Sequence, residues 1–160
     1  MNLVLRPATK EDVKLLLDWS NDPIVRANSK NTNFITWEAH IKWVESKLRC
    51  PQSTQIFIAV NKYAIPVGQI RFDRNGIAAI LTYSVAEEYR NKGMGTLLLI
   101  EGIKKISDVW QDLKHIHAIA KDENLASRKT LEKSGFEFSR SYDGYSEYTM
   151  KIIMSNIEVI

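Results

Sequence analysis

Apolar residues follow two rhythms along this chain. Val13, Leu16 and Leu17, closing on Trp19, recur at the spacing of one helix face, and Ile41, Val44 and Leu48 repeat it. Between and beyond these stripes lie short β-rich runs: Leu3 to Arg6, Thr54 to Val60, Ile65 to Asp73, Ile77 to Val85, His115 to Ala120, Phe136 to Arg140 and Tyr145 to Met150. Local signals bound them. Thr9, with Asp12 three positions on, predicts an acidic capping box for the first helix, which Asn21-Asp22-Pro23 breaks before a possible turn over Ile24 to Ala27. Thr36 predicts the cap of a helix over Trp37 to Leu48, stopped by Pro51. Arg74-Asn75-Gly76 and Asp143-Gly144 predict hairpin turns. A long helix is expected from Gly93 to Trp110, and another from a cap near Asn124 or Leu125 to a Gly135 stop. The resulting order, β-α-α-β-β-β-α-β-α-β-β, predicts a layered α/β domain filling residues 1–160.

Composition narrows the possibilities. A chain of 160 residues with 44% hydrophobic and 26% charged content is expected to fold as one globular domain. The net charge of +3 is small, and the lysines are scattered, not striped with aromatics, so a nucleic-acid module is not expected. No apolar run reaches membrane-spanning length, and the first residues lack the apolar core of a signal peptide. Cys50 stands alone, which leaves no internal disulfide and points to the cytoplasm.

The segment with most chemistry is Tyr89-Arg-Asn-Lys-Gly-Met-Gly-Thr96, placed between a strand and a helix. That arrangement offers free backbone N–H groups and the positive end of a helix dipole to an anion. Gly93 and Gly95 let a ligand approach the backbone, and Arg90 and Lys92 add charge. The segment is neither a Walker loop nor a dinucleotide fingerprint: Leu98 stands where the latter needs its third glycine.

Arg90-x-x-Gly93-x-Gly95 resembles the acetyl-CoA signature of the GNAT family of N-acetyltransferases, and Asn124-Leu-Ala-Ser127 running on to Gly135-Phe136 resembles that family's second cofactor segment. The two occur in the family's order, and the resemblance extends from Leu3 to about Met150. It implies a GNAT fold: a mostly antiparallel mixed sheet of about seven strands flanked by about four helices and splayed at a β-bulge. It also implies acetyl-CoA as cofactor, with no metal. On this chain the pantetheine arm would pair with Leu81, Thr82, Tyr83 and Val85. The backbone N–H of Tyr83 or Ser84 would hold the thioester oxygen. The pyrophosphate would sit on amides of Asn91, Lys92, Gly93, Met94, Gly95 and Thr96 beside Arg90. Asn124 would bond the pantetheine arm, Ser127 would bond it or cap the helix, and Lys133 or Arg128 would approach the 3′-phosphate.

One position departs from the pattern. Many relatives carry a tyrosine seven residues after the asparagine, as proton donor to the leaving thiolate; here that residue is Leu131. Tyr142, Tyr145 and Tyr148 are candidates to replace it, as is water. A free thiol titrates near pKa ~8.5, so solvent can also supply the proton.

For the acceptor, Trp19-Ser-Asn21-Asp22-Pro23-Ile-Val25-Arg26, Glu38 to Trp43 and Gly68 to Asp73 are similar to segments of acetyltransferases acting on nucleotide-linked amino sugars, as in pseudaminic-acid-type pathways. The resemblance implies that Asn21, Asp22 and Arg26 line an acceptor wall, with Arg71 and Asp73 on the middle strand. Arg26 and Arg71 suit a diphosphate, although Arg26 is also placed to pair with Asp22. His40 and Trp43 share a helix face: His40 is a candidate base, and Trp43 either stacks on a ring or packs in the core. The run Ile77 to Val85 lacks the glutamate of many relatives. A weakly basic sugar amine tolerates that, because each pKa unit above ambient pH costs about 1.4 kcal/mol in neutral nucleophile. The alternatives are acetylation of protein N-termini or lysines, and a non-catalytic acyl-CoA-binding module. A monomer or homodimer is compatible with the chain.

Overall fold

The computed structural model describes residues 2–153. Its strands are β1 (Val4–Pro7), β2 (Thr54–Val60), β3 (Pro66–Asn75), β4 (Ala78–Val85), β5 (His115–Lys121), β6 (Glu137–Tyr142) and β7 (Tyr145–Lys151). They form one seven-stranded sheet in the order β1-β2-β3-β4-β5-β7-β6. All neighbours are antiparallel except β4 and β5, which run parallel because α4 crosses between them. The helices are α1 (Val13–Ser20), α2 (Pro23–Asn28), α3 (Trp37–Leu48), α4 (Met94–Val109) and α5 (Leu125–Lys133), five where about four were expected.

Side-chain alternation assigns the two faces of the sheet. Phe57, Ile70, Phe72, Leu81, Ile116, Ala118 and Tyr148 share one face and pack with Leu98, Leu99, Ile106 of α4 and Leu131 of α5. The opposite face, at the β1–β2 end, carries Ile56 and Ile58 against Val13 and Leu16 of α1 and Val44 of α3. β2 is therefore covered on both sides, which is why its sequence is a continuous apolar run rather than an alternating one.

Caps follow the local signals. Thr9 Oγ1 accepts from the Glu11 N–H and Asp12 Oδ2 from the Thr9 N–H, but the box opens a short 3-10 turn that precedes α1. Gly135, at φ +96°, follows α5 as the C′ residue, and Asp143 (φ +48°) and Gly144 (φ +80°) make the last hairpin turn. The β3–β4 loop is tighter than the Asn-Gly signal suggests: Asn75 stays in the strand, paired with Ala78, and Gly76 takes the positive φ.

The feature that makes a site is the parting of β4 and β5. Their pairing ends at Leu81↔Ala118, although both strands continue. The β3–β4 register meanwhile runs one-for-one from Gly68↔Val85 to Asn75↔Ala78. The expected bulge is thus not in β4's pairing with β3; the register shifts lie at Ala59/Val60 and Phe138/Arg140. The gap opens because β4 follows β3 while β5 follows β7.

Candidate active site

A cleft of about 1030 Å³ passes through the sheet at this gap. From the α4/α5 face it is lined by Leu81, Tyr83, Met94, Gly95, Ser127, Thr130 and Leu131; from the other face by Gln69, Arg71, Ile80, Thr82, Ser84 and α2 with the loop after it. A ligand entering from one side can therefore meet a ligand entering from the other between β4 and β5.

The glycine turn forms one end. Asn91 (φ +59°) and Gly93 (φ +75°) are left-handed, which turns successive amides inward. Gly93 occupies the N-cap of α4 and, among the described residues, no side chain caps that helix, so the N–H groups of its first turn are open to an anion. The two glycines have different reasons. Gly93 meets nothing where a Cβ would stand and is required by its φ, whereas a Cβ on Gly95 would lie 3.2 Å from Thr130 Cγ2 and 3.6 Å from Tyr83 Cε2. Gly95 therefore admits α5, not only a ligand. Arg90 donates Nε–H to the Val85 carbonyl (3.0 Å) and pairs through Nη2 with Asp22 (3.1 Å). Its Nη1 is buried without a hydrogen-bond partner among the described residues. A buried, unspent guanidinium N–H beside bare helix amides fits a diphosphate. Lys92 lies outside the cleft and donates to the Glu88 carbonyl.

At α5, Asn124 is the cap: its Oδ1 accepts from the Ser127 N–H at 3.2 Å, leaving its amide NH₂ for a ligand. Ser127 is accordingly free of capping duty, and its Oγ lies 3.1 Å from the Tyr83 hydroxyl. Burial raises the Tyr83 phenol above its ordinary range, partly offset by hydrogen bonds from Ser127 and Thr130. Lys133 lines the cleft, while Arg128 is spent internally on Tyr148 and the Asp122 carbonyl. Leu131, at 1% exposure, is a wall of both core and cleft.

Several residues expected on the acceptor side lie elsewhere. His40 is buried, with Nε2 3.2 Å from the Val13 carbonyl, and desolvation lowers its pKa against a smaller opposing effect of that contact. It is a core residue, not a base in the cleft. Trp43 stacks on His40 and packs with the α1–α3 core, with the Arg71 guanidinium over its ring at 4.9 Å. Asp73 accepts from Thr54, Lys47 and Arg71; burial raises its pKa, but these partners outweigh it and hold the carboxyl below its ordinary range. Asn21 pins the loop before α3 through paired bonds with the Ile35 backbone. Asp22 caps α2 by accepting from Ile24 and Val25. None of these five lines the cleft.

Arg26 does line it, yet its donors go to the Ser20, Asn31 and Asn33 carbonyls and to Ser29, so it shapes the loop and keeps no fork for a diphosphate. Arg71 lines the cleft and is held by Asp73 and Thr82. Tyr142 and Tyr145 stand ring against ring at the rim, whereas Tyr148 is fully buried and bonded to Glu132. Sequence reasoning passed over Lys30, Lys121 and Gln69 as cleft residues. Lys121 ends β5 with nothing local to mark it, and only the fold shows it reaching the Ala27 carbonyl (2.7 Å) to tie α2 across the gap.

The sequence matches the model of the acetyltransferase (GNAT) domain over residues 2–137. The chain belongs to the GNAT acetyltransferases. As in that family, its cosubstrate is acetyl-CoA, and the open amides of α4 and the free Nη1 of Arg90 are consistent with it. Solved structures of GNAT acetyltransferases share the fold at low identity. A ribosomal alpha-N-protein acetyltransferase in complex with coenzyme A superposes with a TM-score of 0.80 at 16% identity, covering 95% of each chain. The aminoglycoside acetyltransferase AAC(6')-Ib with ribostamycin and coenzyme A gives 0.81 at 16%, covering 94% of each. Spermidine N-acetyltransferase from Vibrio cholerae with CoA and spermine gives 0.80 at 14%, covering 93% of this chain and 95% of that one. No protein of curated function matches significantly.

Proposed function

We propose that this acetyltransferase acetylates the amine of a nucleotide-linked amino sugar. The observation that carries the reading is the sign of the cleft. Among the described residues Arg26, Lys30, Arg71, Arg90, Lys121, Lys129 and Lys133 line it, against Asp143 as the acidic residue. Arg90, Lys129 and Lys133 flank the glycine turn and α5 and suit the phosphates of acetyl-CoA. Lys30, Arg71 and Lys121 belong to the opposite face and the α2 side, where they complement an anionic acceptor. The acceptors named for two of the similar structures, an aminoglycoside and a polyamine, are polycations, which such a cleft repels. A diphosphate-linked sugar has the charge this side lacks.

When bound, acetyl-CoA supplies an acyl group on a thiol leaving group. The chain's part is to hold and align. The open amides of the first turn of α4 and Arg90 Nη1 take the diphosphate. Beyond Leu81 the free edge of β4 offers backbone groups to an extended arm, and the NH₂ of Asn124 faces the same gap. Ser84 accepts from Gln69 Nε2 at 3.2 Å, which places two polar side chains where the acceptor would arrive. Among the described residues no carboxylate stands beside Ser84 and Gln69 as a base, which suits a weakly basic amine that is largely neutral at ambient pH.

The test is thiol release from acetyl-CoA with UDP-linked amino sugars, peptides, a polyamine, an aminoglycoside or no acceptor. Release with the nucleotide sugars alone is the expected result. Release with peptides only would replace it with protein acetylation, and release with the polycations only would overturn the charge argument.

A further inference from the structure

We propose that the Tyr83 hydroxyl is the proton donor to the departing thiol, doing from β4 what a tyrosine at the Leu131 position of α5 does in relatives. The inference rests on the acetyltransferase assignment and is independent of the acceptor. Ser127 and Leu131 are four residues apart, so they lie one above the other on the α5 face that lines the cleft. Leucine has no proton to give at that position, and the hydroxyl of Ser127 one turn away is itself tied to a phenol. Tyr83 restores one: its Oη is 3.1 Å from Ser127 Oγ, one helical turn from Leu131. The ring lies against the first turn of α4, where a Cβ on Gly95 would stand in ordinary contact, 3.6 Å from Tyr83 Cε2.

The other tyrosines are placed differently. Tyr142 and Tyr145 lie side by side across the β6–β7 hairpin with their rings tilted by 37°, and strand alternation puts Tyr145 on the face opposite Tyr148 and the α4/α5 core. They therefore face the acceptor side. Tyr148 is committed to Glu132 and Arg128, and Tyr63 and Tyr89 do not line the cleft. Among the described residues Tyr83 is thus the tyrosine that joins the cleft to the cofactor's face of the sheet.

The step balances as follows. The nitrogen–carbon bond forms as the carbon–sulfur bond breaks, and sulfur leaves with the bonding pair. The Tyr83 O–H bond then gives its proton to sulfur. The tyrosinate recovers a proton from water through the Ser127 hydroxyl, and the acceptor nitrogen loses its own to water. A phenol is protonated at neutral pH, and burial moves Tyr83 further in that direction. Leu81, Met94, Ala118 and Leu131 make the cleft walls here apolar, which disfavours a bare thiolate and so favours its protonation.

The experiment titrates the thiol of bound CoA, followed by the NMR shift of a ¹³C label next to sulfur, in the wild type, Tyr83→Phe and Ser127→Ala. Phenylalanine keeps the ring and its packing, and Ser127→Ala keeps the Asn124 cap, which uses the Ser127 backbone. A thiolate that loses its hydrogen-bond donor should titrate roughly one pH unit higher in Tyr83→Phe, with a smaller shift of the same sign in Ser127→Ala. Turnover should fall roughly a hundredfold in Tyr83→Phe with the KM for acetyl-CoA unchanged. Identical thiol titrations in all three proteins, with CoA bound equally, would overturn this proposal alone. Failure of the wild type to bind CoA would overturn it together with the cofactor assignment.

Discussion

His40 has 3% of its surface exposed, its Nε2 is 3.2 Å from the Val13 carbonyl and its ring stacks on Trp43. Desolvation disfavours the imidazolium in this place, so its folded pKa lies below its unfolded one. Below an ordinary histidine pKa of about 6.5 the unfolded chain then binds more protons than the folded one, and stability falls as pH drops towards the lowered folded value. The urea midpoint of the wild type should therefore fall between about pH 7.5 and about pH 5.5. His40→Gln, which does not titrate, should hold its midpoint across that interval; equal slopes in the two would place the effect in another group. The same residue shows where sequence reasoning stops. Spacing correctly places His40 and Trp43 on one face of α3, but not which layer lies opposite that face. The layer is α1, not the cleft. Asn21 and Asp22 fail similarly, and Arg26 reaches the cleft but spends its donors on the loop: a polar cluster after a helix reads as a ligand wall, while here its bonds go to neighbouring carbonyls and amides that no local pattern reveals. The Arg90 to Thr96 turn was legible because its function is backbone geometry, which glycine and helix-start signals encode locally.

Elements were legible where a side chain closes its own boundary. Thr36 caps α3, Asn124 caps α5 and Asp143-Gly144 turns the last hairpin, each as the local signals require. The mutual approach of elements left only glycines as traces, and those have distinct causes. A Cβ on Gly68 would come within 2.6 Å of the Ser84 carbonyl oxygen and 3.4 Å of Val85 Cα, both backbone. A Cβ on Gly102 would strike Ile70 Cδ1 at 2.5 Å, the end of a side chain that can turn away. Gly68→Ala should lose about 1–3 kcal/mol by overpacking, and Gly102→Ala less, because Ile70 can turn and alanine favours the helix by about 1 kcal/mol, both measured by urea unfolding. Only Gly68→Ala must move β4 at Ser84 and Val85, beside the cleft, so it alone should also weaken acetyl-CoA binding in calorimetry. Equal binding by both variants would mean that β4 can shift without disturbing the cofactor's place.

At the scale of the whole molecule the cleft joins pieces far apart in the chain, which is why its composition could not be read in advance. Pairing of β4 with β5 stops at Leu81↔Ala118, and α2 is then tied over the opening by Lys121 to the Ala27 carbonyl and by Asp22 to Arg90. The second tie couples the two substrates. Asp22 caps the helix on the acceptor side, and its partner Arg90 flanks the amides that take the cofactor's diphosphate. Burial pushes the Asp22 carboxyl up, but the Val25 amide, Arg90 and the Ile24 amide outweigh it, so the group is ionised and its charge opposes a diphosphate close by. Asp22→Asn keeps a good N-cap and removes only that charge. Arg90 is then freed towards the diphosphate while α2 loses an anchor. The two substrates should respond in opposite directions: acetyl-CoA binding tighter by roughly three- to tenfold, the sum of one lost repulsion and one released guanidinium, and the acceptor KM higher by a similar factor. Calorimetry with acetyl-CoA and steady-state kinetics with the acceptor separate the two. A variant that weakens both would show Asp22 to be a strut for the whole cleft, with no competition between α2 and the diphosphate for Arg90.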